Sequence, residues 1–156
     1  MNLTMSGDFE PERFAPGGAG DIVAKYDDII VLIEATMMNE HAQKKGEWEP
    51  VLRHSVNLRV DEIPKETMTV FVANTLDYNT INIWRAVATV PLQSSNTGEI
   101  VKGVIIMPLT STEFSKILDD NVKSTKLISE VKQSYSLLND KFDEQWREKI
   151  LSNLTN

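Results

Sequence analysis

The chain has 156 residues, enough for one compact domain and too few for two of ordinary size. Apolar residues make up 41% and charged residues 25%, as in a globular protein, and the absence of cysteine excludes disulfides, zinc ribbons, iron–sulfur clusters and cysteine nucleophiles. The 23 acidic residues outnumber the 16 basic ones and give a net charge of −7, which argues against a surface that holds nucleic acid by itself. No apolar run approaches the ~20 residues of a membrane helix, and no secretory signal is visible, so no membrane partner is expected.

The first predicted elements form a β-hairpin. Residues 1–20 are rich in Gly and Pro, lack periodicity and are predicted to be a loop. Two antiparallel strands follow, residues 21–26 and 29–35, joined by a tight turn at Asp27 and Asp28. The second strand is apolar on both faces, so we expect both of its sides to be buried.

Helices and strands alternate along the rest of the chain. Gly46 and Pro50 divide the first helical stretch, because proline suits the first turn of a new helix. Pro108 is expected to close the last strand, and Ser111 or Thr112 to cap the helix after it. The predicted elements are a helix over residues 37–45, a helix over 50–60, a strand over 67–73, a helix over 79–90, a strand within 100–109, a helix through 119, and one long or two shorter helices over 122–154.

This order of elements predicts a single α/β domain, with a mixed β-sheet flanked by helices. The last stretch, residues 139–156, is amphipathic around Phe142, Trp146, Ile150 and Leu154. Such a pattern is typical of a surface helix that packs on its own domain, and also of a helix that docks a partner.

Two carboxylates are predicted to face each other across the hairpin. Asp21 opens the first strand and Glu34 lies near the end of the second, each six residues from the turn. This register places their Cβ atoms about 5 Å apart. Opposed carboxylates repel unless a cation lies between them or one is protonated, and Mg²⁺ commonly binds one or two carboxylates while keeping waters. The alternative is an ordinary pair at a solvated strand end.

A second group of polar residues follows the hairpin. Gln43, Glu47 and His54 are spaced four and seven positions apart, which places them on one face if the helix is continuous. An amide, a carboxylate and an imidazole there could extend a metal and water site, or could line a solvated helical face. His41 is predicted to be a surface residue. The glycine-rich loop at 16–20 precedes a strand, so it is not expected to cradle a phosphate.

These residues resemble a known family. The segment at 16–21, the strand end at 32–36, and Glu47 with Arg53 and His54 are similar to the cleavage domain of the AlwI, MlyI and BstNBI group of Type IIS restriction and nicking endonucleases. Residues 104–110, followed by Glu113 and Phe114, resemble that group's later strand and helix. The resemblance implies a restriction-endonuclease-like, PD-(D/E)xK core and a metal-dependent endonuclease of the bacterial cytoplasm.

The resemblance also implies roles for individual residues. It makes Asp21 and Glu34 ligands of Mg²⁺, or of Mn²⁺. It makes Glu47 and His54 further catalytic residues, with Gln43 an accessory residue.

Two features depart from the usual pattern of this fold. Thr36, a second accessory position, stands where a lysine is expected two positions after the second carboxylate. Water activation must then come from elsewhere, either from Lys44 or Lys45 or, in preference, from Glu47 with His54. The fold also has a helix before the hairpin that often supplies another carboxylate, for which Glu10 or Glu12 would be a poor replacement.

The group's enzymes recognise double-stranded DNA through a separate domain that this chain is expected to lack. That division reconciles an acidic cleavage domain with DNA as its substrate. One site cuts one strand, so a double-strand break would need a second cleavage subunit in a homodimer or heterodimer. Two alternatives are a non-catalytic dimerisation or interaction domain with a degenerate nuclease-like fold, and an acidic DNA-mimicking inhibitor with carboxylates spread over one outer face.

Overall fold

The computed structural model describes residues 11–12, 22–37, 39–137 and 143–155, without the side chains of residues 11, 12 and 47. The elements are β1 (Pro11–Glu12), β2 (Ile22–Lys25), β3 (Ile29–Thr36), α1 (Glu40–Ala42) followed by a kinked turn (Gln43–Glu47), α2 (Glu49–Asp61), β4 (Glu66–Ala73), α3 (Tyr78–Val87), β5 (Leu92–Gln93), β6 (Ile100–Val101), β7 (Ile106–Thr110), α4 (Ser111–Asp119), α5 (Ser124–Ser136) and α6 (Trp146–Thr155).

The main sheet has five strands in the order β1-β2-β3-β4-β7. β1 and β2, and β2 and β3, pair antiparallel, whereas β3, β4 and β7 run parallel. The parallel strands are joined by stretches that contain helices, as parallel connections require. The predicted mixed α/β sheet is therefore confirmed.

The hairpin has the predicted turn and register. The Tyr26 N–H donates to the Ile29 carbonyl at 2.9 Å, which closes the turn around Asp27 and Asp28. The pairs run from Lys25 opposite Ile30 to Ile22 opposite Ile33, so the strands are symmetric about that turn. β3 is buried from Ile29 through Glu34, as its apolar composition predicts.

Alternate residues of each strand face two helical layers. On β3, Ile29, Val31 and Ile33 contribute to the core beneath α4, α5 and α6, whereas Ile30 and Leu32 pack with Leu58 of α2. The two-residue period of a strand places Glu34 on the α2 side as well. On β4, Phe71 packs against Trp84 of α3 on that same side. The helices therefore divide between two faces, and Glu34 lies under α2.

Side chains cover the outer edge of β7. The Tyr135 hydroxyl donates to the Ile106 carbonyl at 2.6 Å, and Arg147 Nε donates to the Pro108 carbonyl at 3.0 Å. The Thr110 N–H donates to Glu113 Oε2 at 2.8 Å. Pro108 lacks an N–H, which suits an edge position. The prediction that Pro108 closes this strand is wrong, because its backbone faces away from β4 and interrupts no pairing there.

Several boundaries differ from the predictions. Residues 11–12 pair with β2 through their backbone, so the predicted loop over 1–20 contains a short strand that no side-chain pattern signals. The first helix begins at Glu40, because Asn39 accepts a hydrogen bond from the Ala42 N–H at 3.0 Å, and not at Met37. α3 ends at Val87 and does not reach Val90.

The last third of the chain also differs in detail. The N-cap of α4 is Thr110, not Ser111 or Thr112, because Thr110 and Glu113 form a reciprocal capping box. Residues 122–154 hold two helices, α5 and α6, and the buried Trp146, Ile150 and Leu154 pack α6 on its own domain. Phe142 lies outside the described residues. The two-stranded sheet of β5 and β6 was not predicted. Among the described residues, no helix is long and apolar enough to cross a membrane.

Candidate active site

A carboxylate and an imidazole meet between β3 and α2. His54 Nδ1 lies 2.7 Å from Glu34 Oε1, and their side chains are 14% and 10% exposed. Glu34 lies two residues before the end of β3, and His54 lies in the first half of α2. The two residues are 20 positions apart in the sequence. Packing of α2 across the sheet therefore brings them together.

Polar and aromatic contacts anchor α2 at this place. Ser55 Oγ donates to the Val51 carbonyl and lies 2.7 Å from the Thr69 hydroxyl of β4. Because Ser55 donates its single hydroxyl proton to the Val51 carbonyl, the Thr69 hydroxyl is the donor in the hydrogen bond between Thr69 and Ser55. At the start of α2, Trp48 meets Trp84 edge-on with ring centroids 6.2 Å apart. These contacts hold the helix that carries His54 against the strands.

The Glu34–His54 contact defines the tautomer of the imidazole. An ionised carboxylate only accepts hydrogen bonds, so Nδ1 must carry the proton that Glu34 accepts. In the neutral ring, Nε2 is then the nitrogen with a lone pair, available to accept a proton or to bind a group outside the pair. Among the described residues, Glu34 is the one hydrogen-bond partner of the His54 side chain. The arrangement can therefore support proton transfer at Nε2.

Gln43 does not share a continuous helical face with His54. Gly46 has a φ of 95° and breaks the helix between Gln43 and His54, so the continuous helical face is wrong. The Gln43 amide contacts the backbone of Thr75 and Asp77, in the loop after β4. Lys44 contacts the same loop, with Nζ 3.5 Å from Asp77 Oδ1.

The remaining predicted site residues are only partly described. Asp21 and the side chain of Glu47 lie outside the described residues, so their places in the site stay predictions. Thr36 is the last residue of β3, opposite Ala73. Lys45 and His41 are exposed, the latter as predicted.

Glu34 has the chemistry of a magnesium ligand. It presents carboxylate oxygens from a buried position on a central strand, and oxygen is the donor that Mg²⁺ prefers. Within the described ranges, no three His, Asp or Glu side chains gather as a metal-binding group. A site of this kind can still form from Glu34 and one further carboxylate, because Mg²⁺ keeps several waters.

Two cavities lie away from this site. Their volumes are about 720 and 740 Å³, and both are bordered by Arg85 and Trp146. The Arg85 guanidinium lies 4.3 Å from the centre of the Trp146 ring and 4.7 Å from that of Tyr135. Burial lowers the pKa of Arg85. Neither cavity is lined by Glu34 or His54, so cavity size does not identify the candidate site.

Sequence reasoning missed the loop that receives Gln43. The available signal was Asp77, which caps α3 by accepting a hydrogen bond from the Thr80 N–H at 3.1 Å. An aspartate before a helical run is a common N-cap, so the start of α3 could have been located at Tyr78. The contact between this loop and Gln43 spans more than 30 residues and has no local signal.

Comparisons with known proteins identify a family and a fold. Residues 1–117 match the model of the AlwI restriction endonuclease family. The small subunit of a heterodimeric restriction endonuclease has a similar fold, with a TM-score of 0.60 and 21% identity over 90% of this chain and 71% of that subunit. No curated protein shows significant similarity to the chain.

Proposed function

The chain belongs to the AlwI restriction endonuclease family, and we propose that it is a Mg²⁺-dependent cleavage subunit that hydrolyses one strand of double-stranded DNA. The observation that carries the proposal is the buried Glu34–His54 pair, 2.7 Å apart at the end of β3. A carboxylate that orients an imidazole is a common arrangement in sites that transfer protons. The alternative is that the pair has a structural role only.

Asp21 and Glu34 are the residues proposed to hold the metal. A bound Mg²⁺ would lower the pKa of a coordinated water and offset charge that develops on the scissile phosphate. His54, oriented by Glu34 at Nδ1, accepts the proton of the attacking water at Nε2. General-base catalysis of this kind contributes about 10²–10⁴-fold to the rate. Glu47 is the second candidate for the base. Mn²⁺ offers similar chemistry to the same oxygen ligands.

A second subunit completes the proposed enzyme. The structural neighbour is one subunit of a heterodimeric restriction endonuclease, and we propose that this chain likewise acts with a partner that recognises DNA. The formal charge of −7 supports that division, because an acidic chain gains little DNA affinity from counterion release. Alone, the chain should nick weakly and with little sequence preference.

The test is a nicking assay on supercoiled plasmid, with the chain alone at low salt and high concentration, with and without Mg²⁺. We expect Mg²⁺-dependent open-circular product from the wild type and none from E34Q. The glutamine preserves an acceptor for His54 but removes the charge that would hold the metal. E34A and D21A are expected to be inactive as well. D61A is the matched control, because Asp61 is an exposed carboxylate on the same helix as His54.

Circular dichroism melts would show that each variant remains folded. Mg²⁺-dependent nicking by folded E34Q and E34A would contradict the proposed metal site. A wild type that neither nicks nor gains thermal stability from Mg²⁺ would favour the alternative, a non-catalytic interaction domain. Thr36, in the place of the usual lysine, is the feature that favours this second candidate.

A further inference from the structure

A buried glutamine holds the middle of the segment that joins Glu34 to His54. Gln43 is 1% exposed, and both the nitrogen and the oxygen of its side-chain amide form hydrogen bonds with the main chain of one loop. Nε2 donates to the Thr75 carbonyl at 2.7 Å, and Oε1 accepts from the Asp77 N–H at 3.1 Å. Because both groups on the loop are backbone groups, the contact fixes the position of the loop itself and depends on no side-chain rotamer there.

The loop that receives Gln43 is itself held in place. Asp77 is 5% exposed, and its Oδ2 accepts from the Thr80 N–H at 3.1 Å, which caps α3. Its Oδ1 lies 3.5 Å from Lys44 Nζ, so the residue after Gln43 is attached to the same loop. Gln43 and Lys44 therefore connect the segment before α2 to the end of β4 and the start of α3.

The backbone next to Gln43 is irregular. Residues 43–47 form a kinked turn, and Gly46 within it has a φ of 95°, a conformation that residues with a Cβ rarely adopt. Such a turn has fewer stabilising contacts of its own than an α-helix, and contacts from outside must maintain it. Glu47 is the last residue of this turn. The position of Glu47 therefore depends on how the turn is held.

We propose that Gln43 is a positioning residue whose two hydrogen bonds to the β4–α3 loop set the kinked turn at residues 43–47, and with it Glu47, relative to the Glu34–His54 pair. This inference rests on the proposed function, since it assigns Gln43 a role in the same reaction. Gln43 itself touches neither substrate nor metal in this scheme. α2 has its own anchors at Ser55 and Trp48, so loss of the Gln43 contact should displace the turn more than His54.

The experiment compares Q43M with Q93M in the full chain. Methionine is close to glutamine in length but makes neither hydrogen bond, so Q43M removes the attachment without leaving a large cavity. Gln93 is exposed and donates to the Gly98 carbonyl at 2.9 Å, which makes Q93M a matched loss of a glutamine hydrogen bond that does not involve the β4–α3 loop. Steady-state nicking of plasmid is measured well below the melting temperature of each variant.

We expect kcat of Q43M to fall by about 10- to 100-fold, the size of effect that a small misplacement of a reacting group produces. KM for plasmid DNA should stay within about twofold, because Gln43 makes no proposed contact with DNA. Q93M should retain the wild-type kcat. A merely structural role for Gln43 would lower the melting temperature and leave kcat unchanged at lower temperature.

Q43E provides a second test if Q43M fails to fold. The ionised carboxylate cannot donate to the Thr75 carbonyl, whereas the protonated acid can donate there and still accept from the Asp77 N–H. Lys44 and the Asp77 carboxylate are charged groups beside this position. The ratio of Q43E to wild-type kcat should therefore rise as the pH falls from about 8 to about 6, because burial favours the neutral acid.

The outcomes separate this inference from the proposed function. If the wild type does not nick, the proposed function fails and the inference fails with it. If the wild type nicks and Q43M retains its kcat, or changes only KM, the inference alone is overturned. A Q43E ratio that does not change with pH would also overturn it.

Discussion

His54 and Glu34 show what could and could not be predicted about single residues. The register of the hairpin followed from its turn, because a two-residue turn determines which residues face each other. The contact between Glu34 and His54 could not be predicted this way, because it depends on where α2 crosses β3. The shared helical face of Gln43 and His54 required a continuous helix, and the positive φ of Gly46 breaks the helix between them. The role of each of these residues in metal binding or catalysis stays a prediction.

At the residue scale, His54→Asn should separate the structural role of His54 from its proposed chemical role. The Asn amide nitrogen can replace Nδ1 as donor to Glu34, but nothing replaces Nε2. We expect the free energy of unfolding of H54N in urea to lie within about 1 kcal/mol of the wild-type value. That of H54A should be lower by about 1–3 kcal/mol, because the substitution removes the imidazole hydrogen bond to a buried carboxylate. Both should lose Mg²⁺-dependent nicking, and wild-type nicking by H54N would exclude His54 as the base.

At the scale of elements, long apolar strands were predictable and short or edge elements were not. β3 and β4 lie within one or two residues of their predicted bounds, because runs of β-branched and apolar residues signal buried strands. β1, β5 and β6 each have two residues, so they carry no periodic pattern. The first residue of a helix depends on which polar residue acts as its N-cap. Neighbouring residues such as Thr110, Ser111 and Thr112 are all of a type that can cap, so the sequence did not distinguish between them.

The α4 cap provides the test at this scale. The Thr110 hydroxyl accepts from the Glu113 N–H at 3.2 Å, while the Glu113 carboxylate accepts from the Thr110 N–H. T110A should therefore lower the free energy of unfolding by about 1 kcal/mol, the usual value of an N-cap. T112A should change it by less than about 0.5 kcal/mol, because Thr112 is exposed within the first turn. Equal effects of T110A and T112A on urea denaturation would contradict the assignment of the cap.

For the molecule as a whole, α5 and α6 close one side of the sheet. Tyr135, Arg85 and Trp146 form a buried group of two aromatic rings around a guanidinium. The apolar period of α6 predicted its buried side, but not that Trp146 covers Arg85 of the distant α3. Contacts of this kind depend on how the two helical layers meet around the edge of the sheet, which a linear pattern does not contain.

Tyr135 makes the stability of this closed side depend on pH. Burial raises the pKa of its phenol, while the charge of Arg85 opposes that shift in part. The folded-state pKa of Tyr135 lies above the unfolded value of about 10. The stability contributed by its buried neutral phenol is therefore complete below about pH 10 and is lost as the pH rises toward the folded-state pKa. We expect the wild type to lose up to about 1.4 kcal/mol per pH unit more than Y135F above pH ~10.

Urea denaturation at several alkaline pH values would measure this difference. Y78F is the control, since Tyr78 is 82% exposed and its replacement removes a phenol that folding does not bury. The other ionisable groups are common to the wild type and to Y135F, so their effects cancel in the comparison. Parallel stability curves for the wild type and Y135F through pH 11 would contradict the prediction.

The covered edge of β7 limits how this chain can assemble with another protein. Two outward carbonyls of the strand already accept hydrogen bonds from Tyr135 and Arg147, the Thr110 N–H donates to Glu113, and Pro108 has no N–H to donate. An incoming strand would find no main-chain partner along this stretch, so growth of a continuous intermolecular sheet there is blocked. A companion subunit that approaches this edge would instead bind to side chains of the helices that cover it. The choice of partner would then depend on helix-surface residues, which can change without disturbing the sheet.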